Sequence, residues 1–304
     1  MKKNKIINYE KKFKRMRVLF ILSTLLACFI IFRNIDYYIF KYLISYNYIF
    51  TDSLDAIYDQ ALGKGNYSGY GKNFDEVVMS VFTEKIRSID NDRYTYLYNP
   101  SQYKASKETT KTEAQSARVD KLSDDTAYVL APNISIYTQN FLENNFDNLS
   151  SYKNIIIDLR GNYGGSLESL YKIEGLFLPR GTTLGYETAR LKIFSKHLKS
   201  KSNRYLVFEN IVILQDESTA SSAEGFINAL KLNLDNVTTI GTTTFGKGIG
   251  QIVMPLTSGY ALKATVITVE TPNYTSINKV GIAPDIEYTG TDIIEYSLGL
   301  IESE

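Results

Sequence analysis

Asn154-Ile-Ile-Ile-Asp-Leu-Arg-Gly-Asn-Tyr-Gly-Gly165 decides the fold class of this 304-residue chain. Residues 154–159 form a short apolar run of the kind that makes a buried strand. Gly161, Gly164 and Gly165 then break it, and residues 166–178 continue at helical spacing up to Pro179. The same alternation recurs downstream. Residues 210–214 read as a buried strand, 222–232 as a helix and 237–242 as a strand. Upstream, 128–131 reads as a strand and 141–152 as a helix. Towards the end, 260–269 alternates as a strand and 292–301 reads as a helix. Strands alternating with helices imply an α/β core with a largely parallel sheet.

The chemistry lies in the turns of this pattern. Glycines between a strand and a helix expose backbone N–H groups, the usual material of an oxyanion hole or anion site. Ser218-Thr-Ala-Ser-Ser-Ala-Glu224 offers a run of candidate nucleophiles at the start of a helix. Downstream, Gly241-Thr-Thr-Thr-Phe-Gly-Lys-Gly248 places Lys247 among small residues, with no acidic side chain from 241 to 253. A lysine so placed can lose solvation and with it its proton, and a neutral amine is a general base. Gln251 carries an amide able to hold that amine. Nucleophile, base and orienting group are thus present in chain order, the logic of a serine–lysine hydrolase.

Other readings of the same residues are weaker. Gly241, Gly246 and Lys247 fit a phosphate-binding loop, but Gly248 supplies no hydroxyl for magnesium and residues 249–256, with Pro255, read as strand. Four Ser-x-x-Lys strings, at Ser101, Ser150, Ser169 and Ser276, lack the Lys-Thr-Gly and Ser-Asp-Asn partners of penicillin-recognising enzymes. The single histidine, His197, sits in a solvated-looking stretch, so a histidine triad and a histidine zinc site are not expected. No cofactor or metal is expected. A net charge of +1 gives no reason to invoke nucleic acid.

The N-terminus has its own signal. Residues 18–32 carry no charge and lie between Arg17 and Arg33. Before them come Lys2, Lys3, Lys5, Lys11, Lys12, Lys14, Arg15 and Arg17 against one Glu10. The run is short for a span of about 20 residues, but arginine stems can snorkel and residues 34–43 can extend it. The positive-inside rule predicts a cytoplasmic tail over 1–17, a transmembrane signal anchor over 18–35 and a translocated remainder. Cys28, the one cysteine, reads as a plain buried cysteine rather than a lipidation site. Residues 36–50 predict a juxtamembrane helix. Residues 53–62 and 74–89 predict helices, the latter from Val77, Val78, Val81, Phe82 and Ile86, with a glycine-rich loop over 63–73. Residues 98–115 are polar and read as a linker or flap. Residues 36–115 are thus a helical segment with linker, and 116–304 a core domain.

Several ordered motifs resemble those of the C-terminal processing peptidases, also called tail-specific proteases. They are DLRGNYGG at 158–165, STASSAE at 218–224, TFGKGIGQ at 244–251 and GIAPD at 281–285, together with residues 89–100. The resemblance implies a crotonase/ClpP-like fold and endopeptidase action on protein or peptide substrates. It places the nucleophile at Ser221, the base at Lys247 and the orienting amide at Gln251. It places the oxyanion donors at Ser222 and at Gly164 or Gly165. Ser222 stands where the family usually has alanine, which leaves Ser222 as the rival nucleophile, and Tyr163 stands where proline is usual. The family's PDZ module of about 100 residues has no room between Tyr98 and Arg118, so substrate selection must be made otherwise. A catalytically weak or inactive relative that binds peptides or a partner is the competing function; oligomeric state is not legible.

Overall fold

The computed structural model describes residues 2–33, 35–50, 76–257 and 259–303. The helix expected at 53–62 and the loop at 63–73 lie outside the described residues. The chain divides into two compact units, Met1–Asn99 with Val253–Ala264, and Pro100–Ile252 with Thr265–Glu304.

In the first unit, α1 (Lys2–Arg33) is one long helix, and residues 12–32 within it are long and apolar enough to cross a membrane. Cys28, expected to be buried, is exposed on it, because no other described residue packs on that part of the helix. The segment expected as one helix over 36–50 is α2 (Ile35–Tyr42) followed by a π-helical turn (Leu43–Asn47). Asp36 on α2 accepts bonds from the Thr257 backbone N–H (2.8 Å) and hydroxyl (2.9 Å). Helix α3 (Glu76–Asp90) buries Met79, Thr83 and Ile86, one stripe at helical spacing. Val81, expected on that stripe, is exposed. Strand β1 (Tyr96–Tyr98) pairs antiparallel with residues 261–263.

The second unit opens with a correction. The stretch read as a polar linker folds as α4 (Pro100–Ala114). Pro100 at the first helical position gives up only an N–H that would be unpaired there. The following residues contain no glycine and are mostly adequate helix formers. A helix polar on nearly all sides shows no apolar period to read. Its last turn is tied to the core where Asn133 Nδ2 donates to the Thr110 carbonyl (3.0 Å).

Then come β2 (Arg118–Lys121), β3 (Thr126–Leu130), α5 (Ile136–Asn144), α6 (Phe146–Leu149), β4 (Asn154–Asp158), α7 (Leu167–Glu174), β5 (Thr183–Ala189), β6 (Lys196–Lys199) and β7 (Asn210–Gln215). They are followed by α8 (Ser222–Lys231), β8 (Val237–Gly241), β9 (Ile249–Pro255), β10 (Ala261–Glu270), β11 (Ile286–Glu287) and α9 (Ile293–Glu302). Six strands form one sheet in the order β11-β8-β7-β4-β3-β2, parallel except for β2. Its central strands are apolar on both faces, as sheets covered on both sides require. Val129, Ile155, Ile157, Ile211 and Ile213 bury one face in a cluster with Leu170 and Ile173 of α7 and Phe226 and Ile227 of α8. Tyr128, Ile156, Val212, Leu214 and Ile240 bury the other in a cluster with Ile293 and Ile301 of α9. In the second sheet β5 pairs with β6 and with the 267–270 end of β10, all antiparallel. His197 lies exposed on β6, its ring stacked on Tyr186.

One buried group works against the core. Glu174 at the end of α7 is 1% exposed, and its Oε2 finds no hydrogen-bond partner among the described residues. Burial disfavours its charged form and holds its pKa well above the usual carboxylate range. The unfolded chain ionises this carboxyl near pH 4.3, so stability is lost as pH rises above that value. Glu174→Met, which fills similar space without the carboxyl, is expected to melt higher than the parent at pH 8, with the gap closing towards pH 4. A pH series of thermal melts reads this directly; a gap independent of pH would refute it.

Candidate active site

Strands β4, β7 and β8 are neighbours and parallel, so the loops after them meet at one edge of the sheet, where such folds place their ligands. Those loops are the glycine turn after Asp158, the serine turn after Gln215 and the lysine loop after Gly241.

The glycine turn is pinned at both ends. Asp158 is buried and accepts from Tyr128 Oη (2.8 Å) and from the Arg160 guanidinium (2.6 and 2.9 Å). Burial, with the Asp158 charge next, pushes the Tyr128 phenol well above its ordinary value. Buried Asn162 donates to the Ala131 carbonyl (2.7 Å) and accepts from the Gly164 N–H (2.8 Å), while its own carbonyl accepts from Ala220 N–H (2.9 Å). Glycine is required at 164 and 165. With φ of +88°, Gly164 packs so closely that a Cβ would lie 2.6 Å from the Ala220 carbonyl oxygen and 2.9 Å from Ser221 Cβ. At Gly165 a Cβ would lie 2.0 Å from the Ile134 carbonyl oxygen.

Ser221 caps α8 with φ +58° and ψ −119°, backbone that a side chain rarely adopts. Such strain costs about 1–3 kcal/mol and persists where the surroundings enforce it, as on the sharp strand-to-helix turns that present nucleophiles. Asp216 braces this turn by accepting from the N–H groups of Gly161 (3.0 Å), Ser218 (3.0 Å) and Thr219 (2.9 Å). The two candidate serines differ sharply. Ser221 is partly exposed. Ser222 is 1% exposed, and its hydroxyl is committed to the Gly165 carbonyl (3.1 Å). The Ser222 and Gly165 N–H groups donate to no acceptor among the described residues. The Gly164 N–H is taken by Asn162.

Glu224, to which the sequence reading assigned no role, joins the serine turn to the lysine loop. It is fully buried. Its Oε2 accepts from both the Ser221 N–H (2.7 Å) and the Lys247 N–H (2.8 Å). Its Oε1 accepts from the Gly246 N–H (2.7 Å) and the Thr244 hydroxyl (2.5 Å). The backbones of Ser221 and Lys247 therefore lie within two hydrogen-bond lengths of each other. The signal was available: Glu224 is three residues after Ser221, the spacing at which a side chain returns to the helix cap. The lysine loop is held from its other side too, by Lys279 N–H to the Gly246 carbonyl (2.8 Å) and Gly248 N–H to Asn278 Oδ1 (3.3 Å). It runs into strand β9, the strand read from residues 249–256. Gln251 on β9 donates through Nε2 to Thr265 Oγ1 (3.3 Å). Among the described residues no cluster of His, Cys, Asp or Glu is arranged to hold a metal.

The sequence pattern of peptidase family S41 matches residues 125–288, more than half of the chain. The chain belongs to peptidase family S41. All three loops lie inside the matched segment. A carboxyl-terminal-processing protease of Picosynechococcus sp. is 36% identical over 130 residues, 43% of this chain and 30% of that protein. A probable CtpA-like serine protease of Staphylococcus epidermidis is 32% identical over 139 residues, 44% of this chain and 27% of that protein. The chain thus matches under a third of the length of these relatives. Among solved structures, a lipoprotein from Streptococcus agalactiae superposes with a TM-score of 0.61 at 17% identity, covering 89% of this chain and 96% of that one. A putative peptidase from Parabacteroides merdae gives 0.54 at 22% identity, covering 88% and 95%. These two speak for the fold. Membership of family S41 and the observed α/β architecture bear out the resemblance to the C-terminal processing peptidases.

Proposed function

We propose that this chain is a membrane-anchored serine endopeptidase that hydrolyses peptide bonds of extracytoplasmic proteins through a Ser221–Lys247 dyad. The observation that carries the reading is the Glu224 carboxylate, one oxygen of which holds both the nucleophile turn and the base loop. In this scheme Ser221 Oγ attacks the scissile carbonyl carbon as Lys247 Nζ, neutral, takes the hydroxyl proton. The oxyanion that forms meets the Ser222 and Gly165 N–H groups, the first of them at the positive end of α8. Lys247 then gives its proton to the leaving amine. Water, deprotonated by the same amine, releases the acyl group from Ser221. Gln251, anchored through Nε2, turns its carbonyl oxygen to orient the amine. The buried, committed hydroxyl of Ser222 supports Ser221 over Ser222 as nucleophile.

The base assignment has a sharp test. Lys247→Arg keeps a cation but not a titratable one, since guanidinium stays protonated throughout the working range. The variant is expected to fold and to show no turnover of a fluorogenic peptide; an active arginine variant would exclude Lys247 as base.

The anchoring rests on the apolar window 12–32 of α1 and the eight cations before residue 18. We assign 1–17 to the cytoplasm, 18–35 to the bilayer, 36–115 to an external helical segment and 116–304 to the peptidase core. Protease added to intact cells should then digest the chain beyond residue 35. Protection until the cells are lysed would reverse the orientation.

A further inference from the structure

The hairpin between β5 and β6 carries a feature that the proposed chemistry does not use. Its tip holds Leu191, Ile193 and Phe194 at 40%, 85% and 45% exposure. Ile193 is the most exposed large apolar side chain among the described residues. Three bulky apolar groups held together in water are costly, and a contiguous exposed patch of this kind marks a contact surface. The surrounding charge is equally one-sided. From 188 to 208 the chain has six cations, Arg190, Lys192, Lys196, Lys199, Lys201 and Arg204, and no acid, in a protein whose net charge is +1. Lys196 is paired with Glu187 (2.8 Å) and Arg204 with Asp147. Lys192, Lys199 and Lys201 are exposed and have no carboxylate partner among the described residues. The backbone of the tip closes on itself, with Phe194 N–H on the Leu191 carbonyl (2.9 Å), Ser195 N–H on the Lys192 carbonyl (3.0 Å) and Ala189 N–H on Ser195 Oγ (3.0 Å). It can therefore leave water without stranding those donors.

We propose that the tip Leu191–Phe194, flanked by Arg190, Lys192 and Lys199, docks on an anionic lipid bilayer. Apolar side chains enter the headgroup boundary while lysine stems run outwards to the phosphates, the arrangement of interfacial membrane anchors. The uncompensated charges of Lys192, Lys199 and Lys201 select this occupant: they complement anionic headgroups and would repel a second copy of the same tip. The inference is independent of the dyad, since it concerns where the domain sits and not what it cleaves.

The test uses the full chain with Cys28→Ser and Ile193→Cys, labelled with an environment-sensitive NBD fluorophore and reconstituted into vesicles. One set of vesicles contains phosphatidylglycerol and phosphatidylcholine, the other phosphatidylcholine alone. Docking predicts a blue-shifted emission that lipid-borne nitroxide quenches in the anionic vesicles. That response should be lost in phosphatidylcholine, in high salt and in the Lys192→Glu/Lys199→Glu/Lys201→Glu variant. A label at Asp124→Cys, exposed in the same unit, should stay unquenched throughout. A chain that floats with the vesicles while its tip label stays unquenched would overturn the hairpin contact and leave the α1 anchor standing. A chain that neither floats nor quenches would overturn both. A blue shift that follows protein concentration without lipid quenching would overturn it in favour of contact between copies.

Discussion

Ser221→Ala and Lys247→Ala are each expected to abolish peptide-bond cleavage, with rates falling on the order of 10⁴-fold or more while the fold survives. Neither side chain is part of the buried core, so far-ultraviolet circular dichroism and melting temperature should stay near the parent's. The two substitutions act on one step, and the double variant should be no worse than either alone. Ser222→Ala is expected to keep most of the activity, because its hydroxyl serves the Gly165 carbonyl rather than the substrate. Turnover of a fluorogenic peptide by the three variants decides the matter. Full activity in Ser221→Ala with loss in Ser222→Ala would move the nucleophile by one residue. Full activity in both would end the serine mechanism.

Glu224→Ala is expected to damage stability and catalysis together. It strands three backbone N–H groups and the Thr244 hydroxyl around the place of a buried carboxylate. A buried donor without a partner costs about 1–3 kcal/mol, and the costs of neighbours do not simply add. A loss of about 3–5 kcal/mol is the scale seen when one side of a buried polar cluster is removed. For a domain of this size that lowers the melting temperature on the order of 10 °C. The catalytic effect should fall on kcat more than on KM, because Ser221 and Lys247 lose their shared anchor while the walls that touch substrate remain. Glu224→Gln should be intermediate, since one carbonyl oxygen still accepts but the amide turns donors towards donors. Unchanged melting and unchanged kcat in Glu224→Ala would show that the two loops hold themselves.

The parallel sheet was legible in the sequence because its strands are buried on both faces, and continuous runs such as Asn154–Asp158 and Asn210–Gln215 have no competing pattern. The long apolar stretch of α1 was legible because residues 18–32 form one uncharged run between Arg17 and Arg33. Helix α4 was not: its residues are polar around the whole circumference, and its clearest signal, Pro100 at the first helical position, reads equally well as a turn. Strands β5 and β6 escaped because Leu184, Tyr186 and Leu198 are too few among small, polar and charged residues to set a strand period. At the candidate site, the residues offered a run of serines, Lys247 and Gln251, and the family resemblance pointed to Ser221 and the glycines. It left the two adjacent serines unresolved, because their difference lies in burial and in one hydroxyl bond. Glu224 was visible as a letter but not as a clamp, since its partners Thr244, Gly246 and Lys247 come from a different loop.

A nucleophilic Ser221 made reactive by Lys247 should be trapped by a fluorophosphonate probe, which phosphonylates activated serines with loss of fluoride and is located by mass mapping of the labelled peptide. One adduct is expected on Ser221 in the parent chain and in Glu174→Met, and none in Lys247→Ala. An adduct on Ser222, an adduct that persists in Lys247→Ala, or a folded parent chain that takes no label would contradict it.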